Sequence, residues 1–160
     1  VRPPFVDAKR KRTGSSGNPN FNPLQPRGGD GRWITTAGKV ERLKALAGQN
    51  TILHLPIADV RSPAAASAVA GINVRGFKHA ISNQFVAKLR KDHPDIGADD
   101  FLRIPAVLKS GVPRLAPRGG PNGVPRLLYR ARIEGQLYEY VGEVRAGKRR
   151  IDGITFYRVI

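Results

Sequence analysis

The 160-residue chain contains no cysteine and no methionine, and only 12 of its residues are acidic. Without cysteine there can be neither a disulfide staple nor a thiolate zinc site. The fold must therefore rest on a packed core, and a chain of this length can bury one. The three histidines, His54, His79 and His93, fall in neither HExxH nor HxH spacing, so no metal or other cofactor is expected. No apolar run approaches the roughly 20 residues of a membrane-spanning helix, and no signal-peptide pattern is visible, so a membrane partner is not expected. The lack of methionine, even at position 1, suggests a processed product or the C-terminal part of a longer protein. The shortage of acid has the largest consequence. Twenty-eight Lys and Arg stand against 12 Asp and Glu, a formal charge of +16. Such an excess repels itself in a compact state and suits a polyanionic partner, nucleic acid first and an acidic protein second.

Residues 1–38 are basic and rich in Gly, Pro and Asn, with few apolar side chains. They read as a flexible tail or linker whose run Lys9-Arg10-Lys11-Arg12 is suited to phosphate, with Trp33 and Ile34 docking its end. Residues 39–160 read as a single α+β domain, with N-terminal helices packed on a small antiparallel meander. Ala37 to Leu46 predicts a short helix, with Val40, Leu43, Leu46 and Ala47 on one face and Gly48 as its stop. Thr51 to Leu55 predicts a strand or extended connection ended by Pro56. Ser62-Pro63 predicts the start of an Ala-rich helix that ends by Gly71. Gly76 to Lys91 predicts the clearest helix, with Phe77, Ile81, Phe85 and Leu89 forming one apolar stripe. His79 lies largely on its other side, near Arg75, Lys78 and Arg90, cations that attract phosphate and favour a neutral imidazole. A further short helix, capped by Asp99 or Asp100, runs to Leu108 with Phe101, Ile104 and Leu108 inward and Gly111 as its stop. Val112 to Leu115 is a candidate strand.

The stretch Arg126 to Arg158 carries the strand signal. Apolar and polar residues alternate through Leu127, Tyr129, Ala131 and Ile133, then Tyr138, Tyr140 and Val144, then Ile154 to Arg158. Interruptions at Gly135-Gln136 and Ala146-Gly147 predict hairpin turns. Arg130 and Arg132 fall on the face away from Tyr129. From Lys109 to Arg150 there are ten basic residues and three acidic ones. Basic side chains on a sheet with tyrosines nearby can hold a phosphodiester backbone and stack bases.

Four pieces in order carry a resemblance: Phe77-Lys78-His79-Ala80; Asp100-Phe101 with Ile104-Pro105 and Val107; Tyr138 to Tyr140 with Val144-Arg145; and Ile154 to Arg158. Together, over roughly Thr51 to the C-terminus, they resemble the phage-associated nucleases of the barnase/EndoU/colicin/RelE-like superfamily. Such domains occur at the C-terminus of phage head-morphogenesis proteins and of polymorphic toxins. Members often carry a second histidine in an HxxxxHG pattern, where this chain has Asn83-Gln84; His93 or Glu143 is then the candidate for that role. The resemblance implies a ribonuclease needing no metal, in which the RNA 2′-hydroxyl attacks the neighbouring phosphate. It implies acid or base work for His79 and Glu143, and substrate contacts for Thr155 and Tyr157. Arg75, Lys78, Arg130, Arg132, Arg145 and Arg158 are the expected phosphate-binding residues. It further implies an acidic immunity protein as a partner, and a place in a phage particle or delivery into a target-cell cytoplasm. The alternative from charge alone is a non-enzymatic nucleic-acid-binding or packaging protein of a phage particle. An ADP-ribosyltransferase is disfavoured, because no Arg…Ser-Thr-Ser…ExE set is present.

Overall fold

The computed structural model describes residues 35–160. The basic run Lys9 to Arg12 and the pair Trp33-Ile34 lie outside these residues. Helix α1 (Thr36–Ala45) begins where Thr35 accepts a hydrogen bond from the Gly38 amide (3.1 Å), so residues 36–38, expected at the tail's end, are helical. Then come β1 (His54–Asp59), α2 (Pro63–Ala70), β2 (Lys78–Ser82), α3 (Asn83–Asp92), α4 (Ala98–Phe101) and α5 (Ile104–Ser110). A two-residue strand β3 (Arg114–Leu115) precedes the meander β4 (Arg126–Ile133), β5 (Gln136–Arg145) and β6 (Arg150–Arg158). The fold is α+β, and its six strands form one sheet in the order β1-β2-β6-β5-β4-β3.

The sheet is mixed rather than a purely antiparallel meander. Its N-terminal hairpin β1–β2 joins the C-terminal strands through parallel pairing of Lys78–Ala80 with Arg150–Asp152. The helix expected over Gly76 to Lys91 is corrected accordingly: its first part is the strand β2, and only Asn83–Asp92 is helical. The spacing Phe77, Ile81, Phe85, Leu89 explains the misreading. A step of four satisfies strand alternation as well as a helical stripe. Ser82 decides between them. It is extended (φ −118°, ψ 167°), and its hydroxyl accepts from the Phe85 amide at 3.1 Å, which starts α3 there and leaves the residues before it extended. β2 is nearly buried on both faces beyond Lys78, as suits an interior strand with a parallel neighbour.

The helix expected through Leu108 is likewise two pieces, α4 and α5. Its start is capped by Gly97, whose amide donates to Asp100 Oδ2 at 2.8 Å. Pro105 sits in the first turn of α5, where its missing N–H costs nothing. Ser62 precedes α2 as expected but makes no side-chain cap.

The helices α3 and α5 pack on one face of the sheet. Leu127, Tyr129, Tyr138, Tyr140, Ile151 and Phe156 point into that core, where they meet Leu43, Phe85, Leu89, Ile104 and Leu108. The β4–β5 turn is Glu134-Gly135, both at positive φ (50° and 84°), the two-residue geometry that fits the twist of a hairpin. A bulge separates the pairs Val141↔Thr155 and Gly142↔Gly153, leaving Ile154 as the extra residue. It changes the parity of β6, so Asp152 shares a face with Thr155 and Tyr157. Gly153 then lies over the core, where a Cβ would come within 2.7 Å of Tyr140 Oη and 3.0 Å of Phe85 Cε1.

One buried carboxylate ties the short helices to the sheet. Asp100 is 1% exposed; it accepts from Tyr138 Oη (2.5 Å) and Arg158 Nη2 (2.7 Å) as well as from the Gly97 amide. Burial pushes its carboxyl pKa up, but the hydrogen bonds from Arg158, Tyr138 and Gly97 outweigh this and hold it below the usual range. The resulting stability is present above the ordinary carboxyl pKa and is lost as pH falls through the lowered one. Asp100→Ala leaves Arg158 and Tyr138 without their acceptor, and a loss of about 3 kcal/mol in urea unfolding at pH 7 is expected. A loss under about 1 kcal/mol would show that the network contributes little.

Candidate nucleic-acid interface

The outer face of the sheet, away from α3 and α5, follows from alternation and register. On β4 it presents Arg126, Leu128, Arg130 and Arg132, between the buried Leu127, Tyr129 and Ala131. Their partners across β5 are Glu143, Val141, Glu139 and Leu137, and beyond them on β6 lie Asp152, Thr155 and Tyr157. Three carboxylates thus line the middle of this face. Glu139, Glu143 and Asp152 are 6%, 1% and 7% exposed. Buried carboxylates require cationic partners, and each has one. Arg130 Nη2 is 2.6 Å from Glu139, Arg126 Nε donates to Glu143 Oε1 at 2.9 Å, and Arg150 Nε donates to Asp152 Oδ1 at 2.5 Å. Arg145 approaches Glu143 Oε2 at 2.5 Å and Asp152 Oδ2 at 3.7 Å. The contact with Glu143 is an ion pair whose N–H vectors miss the oxygen. His54, at the start of β1, places Nε2 3.5 Å from Asp152 Oδ2.

Beside this lattice, a groove of about 510 Å³ runs along β3 and β4, lined by Ser110, Val112, Leu128 and Leu137 and by three arginines, Arg114, Arg130 and Arg132. No carboxylate lines it, and Arg132 Nη1 donates only to the Gly135 carbonyl (3.0 Å). At the far side of the face, Tyr157 donates to Glu139 Oε2 and stacks on His93, with ring centroids 5.3 Å apart and planes 17° from parallel. Burial, followed by the bond to Glu139, pushes the Tyr157 phenol up to about 12, so it is a neutral donor. Over Glu143 lies the loop before β4. Gly120 packs so closely that a Cβ would overlap Oε1.

The structure brings together Arg130, Arg132, Glu143, Arg145, Thr155 and Tyr157 from the residues expected at a site. It does not bring His79 to them. His79 pairs in register with Ile151, is 0% exposed, and stands edge-on to Tyr129 (5.4 Å) and Tyr140 (6.4 Å) in the core. Its expected place on an accessible helix face is corrected: it lies in the strand β2 with its ring turned into the core, away from the outer face. Arg158 is also reassigned: it holds Asp100. Lys78 pairs with Asp59, and Arg75 is an exposed residue whose carbonyl accepts from Arg149 at 3.5 Å. Sequence reasoning passed over His54, Glu139, Asp152, Arg126 and Arg150. Alternation between His54 and the buried Leu55 was the available sign for the first. Asp152-Gly153 is a dipeptide that favours a turn, which hides that it lies within a strand.

Neither His79 nitrogen has a hydrogen-bond partner, nor do the hydroxyls of Tyr129 and Tyr140. Burial lowers the His79 pKa from 6.5 to about 4, against a smaller opposing pull from Asp59. Above pH 6.5 both folded and unfolded states hold a neutral ring. Between pH 6.5 and 4 the unfolded chain takes up a proton that the folded chain refuses, so stability falls as pH falls, by about 3 kcal/mol in all. His79→Phe removes that dependence and the unpartnered nitrogens together. It is expected to leave stability at pH 7 within about 1 kcal/mol of wild type and to be clearly the more stable protein at pH 4.5. Urea titrations at the two pH values check this, and an equal loss at both would refute it. Comparison of the chain with protein-family models, with curated proteins and with solved structures gave no match.

Proposed function

We propose that residues 35–160 form an RNA-binding nuclease domain that cuts phosphodiester bonds by attack of the RNA 2′-hydroxyl, without a metal. The observation that supports this most is the gathering of Arg114, Arg126, Arg130, Arg132, Arg145 and Arg150 on one sheet face around three carboxylates. Guanidinium groups suit phosphate because their forked donors match its oxygens. The buried carboxylates hold several of those forks in place before a ligand arrives, and arginines arranged in advance stabilise charge as it grows on a phosphorane. The groove of Arg114, Arg130 and Arg132 follows the backbone, while the His93–Tyr157 stack offers a ring surface for a base. Residues 35–160 carry 21 basic and ten acidic residues, so the described domain is itself a polycation. Arg145 lies between two carboxylates and is 47% exposed, which suits it to a phosphate at the hairpin end of the face.

One observation favours a second reading, RNA binding without cleavage. Glu143, an expected proton-transfer group, is closed in by two arginines and by Gly120. Incubation of the protein with total RNA in EDTA separates the readings. Cleavage is expected with wild type and with His79→Phe alike, since the buried ring does not touch the substrate. Intact RNA at protein concentrations that saturate binding would leave only the binding reading. Binding itself has a sharper test. Arg114→Ala with Arg132→Ala removes two groove cations that make no ion pair among the described residues. The slope of log affinity against log salt for single-stranded RNA is expected to shrink by roughly 1.4, about 0.7 for each phosphate no longer neutralised. An unchanged slope would exclude the groove as the phosphate track.

A further inference from the structure

We propose that His54 is the residue that accepts the 2′-hydroxyl proton, with Asp152 as its positioning partner and Arg145 and Arg150 holding the phosphate to be cut; this rests on the reading of the outer face as an RNA-cleaving surface. The three histidines differ sharply in their surroundings. His79 is sealed in the core, and His93 lies against Tyr157. His54 alone combines a carboxylate beside one ring nitrogen with arginines around it. Its Nε2 is 3.5 Å from Asp152 Oδ2, and its side chain is 27% exposed, so part of the ring remains open to solvent.

Three strands place it there. Leu55 turns into the core and pairs with Ile81, so its neighbour His54 turns outward. β2 lies between β1 and β6: His54 pairs with Ser82, and Ala80, two residues before it, pairs with both Pro56 and Asp152, so the ring reaches Asp152 diagonally across β2 on the face that Ala80 shares. A methyl group is small enough to let the imidazole reach over β2 to the carboxylate. Asp152 is fixed in turn by the two hydrogen bonds it accepts from Arg150, at 2.5 and 3.2 Å.

The charged groups facing His54 are Asp152 and Arg150 from β6, Arg145 from β5 and Lys148 from the β5–β6 turn. Burial lowers the imidazole pKa first; Asp152 opposes this, and the three cations reinforce it. The ring is therefore neutral at pH 7. With Nε2–H directed toward Asp152, Nδ1 is left as the accepting atom; this tautomer is assigned from the neighbouring carboxylate. In the step itself the 2′-oxygen forms a bond to phosphorus as its proton passes to His54. The bond from phosphorus to the 5′-oxygen breaks, and that oxygen takes a proton from solvent water. The hydroxide left behind receives the proton from the imidazolium. The products are a 2′,3′-cyclic phosphate and a free 5′-hydroxyl, and His54 is neutral again. Arg145 and Arg150 face the non-bridging oxygens, where the negative charge grows.

The test uses wild type, His54→Ala, His54→Gln and Asp152→Asn, each checked for an unchanged unfolding midpoint. Both His54 variants are expected to lose about 100-fold or more in RNA cleavage in EDTA, within the range for one acid–base group, and to keep their RNA affinity. Asp152→Asn removes the carboxylate that raises the ring's pKa, so the acid limb of its pH–rate profile should move to lower pH. With ¹⁵N-histidine protein, uridine 3′-monophosphate should shift the His54 ring signals and raise the ring's pKa, while those of His79 stay still. His54→Ala cutting at the wild-type rate would leave the nuclease reading standing and remove His54 from it. A wild-type protein that binds RNA and cuts nothing would end the nuclease reading and this role with it.

Discussion

Three residues of parallel pairing make one sheet of two parts. Lys78–Ala80 and Arg150–Asp152 lie some 70 positions apart, and their pairing joins the β1–β2 hairpin to the meander. Bringing such distant segments together costs conformational entropy before any contact offsets it. The return is made on both faces at once. Inward, the pairing seats Ile81 and Ile151 in one core with Phe85 and Tyr140. Outward, it carries Asp152 beneath His54. The same register therefore fixes the hydrophobic interior and the polar surface.

That surface shows how a very basic protein uses its few acids. Of the ten acidic residues in the described domain, Glu139, Glu143 and Asp152 stand nearly buried on the outer face, each in contact with arginine. Buried ion pairs add little net stability, because desolvation offsets most of the attraction. They fix direction instead. An arginine held at its Nε by a carboxylate, as Arg126 and Arg150 are, has only a narrow range of positions for its outer nitrogens. Asp100 does the same for Arg158 at the other end of β6, where the effect is structural.

Much of the fold is legible in the sequence, and the failures have physical causes. The meander is visible because Leu127, Tyr129 and Ala131 alternate cleanly with Arg126, Arg130 and Arg132, and a half-buried strand has no other way to be written. β2 is not visible. Buried on both faces beyond Lys78, KHAIS shows no alternation, and its apolar spacing continues without a break into a true helix. The faces of β6 are hidden by Ile154, since a bulge shifts parity without leaving any mark in composition. The site follows the same pattern. The arginines of β4 could be placed on one face by counting, whereas His54 and Asp152 meet only through two strand pairings that no local pattern encodes. His79 illustrates the opposite error: neighbouring cations suggested chemistry, but the strand turns its ring away from them and into the core.

The two ends of the sheet bear on how this protein meets other molecules. At one end β1 carries Pro56, which has no N–H to offer and whose carbonyl accepts a hydrogen bond from Lys39 Nζ at 2.5 Å; a bulge follows it. At the other, β3 is two residues long. Pro56 and the bulge interrupt, at β1, the row of free amides and carbonyls that lets a foreign strand add to a sheet, and β3 is too short to template one. Edge-to-edge growth, a common route of aggregation, is thus hindered at those two strands.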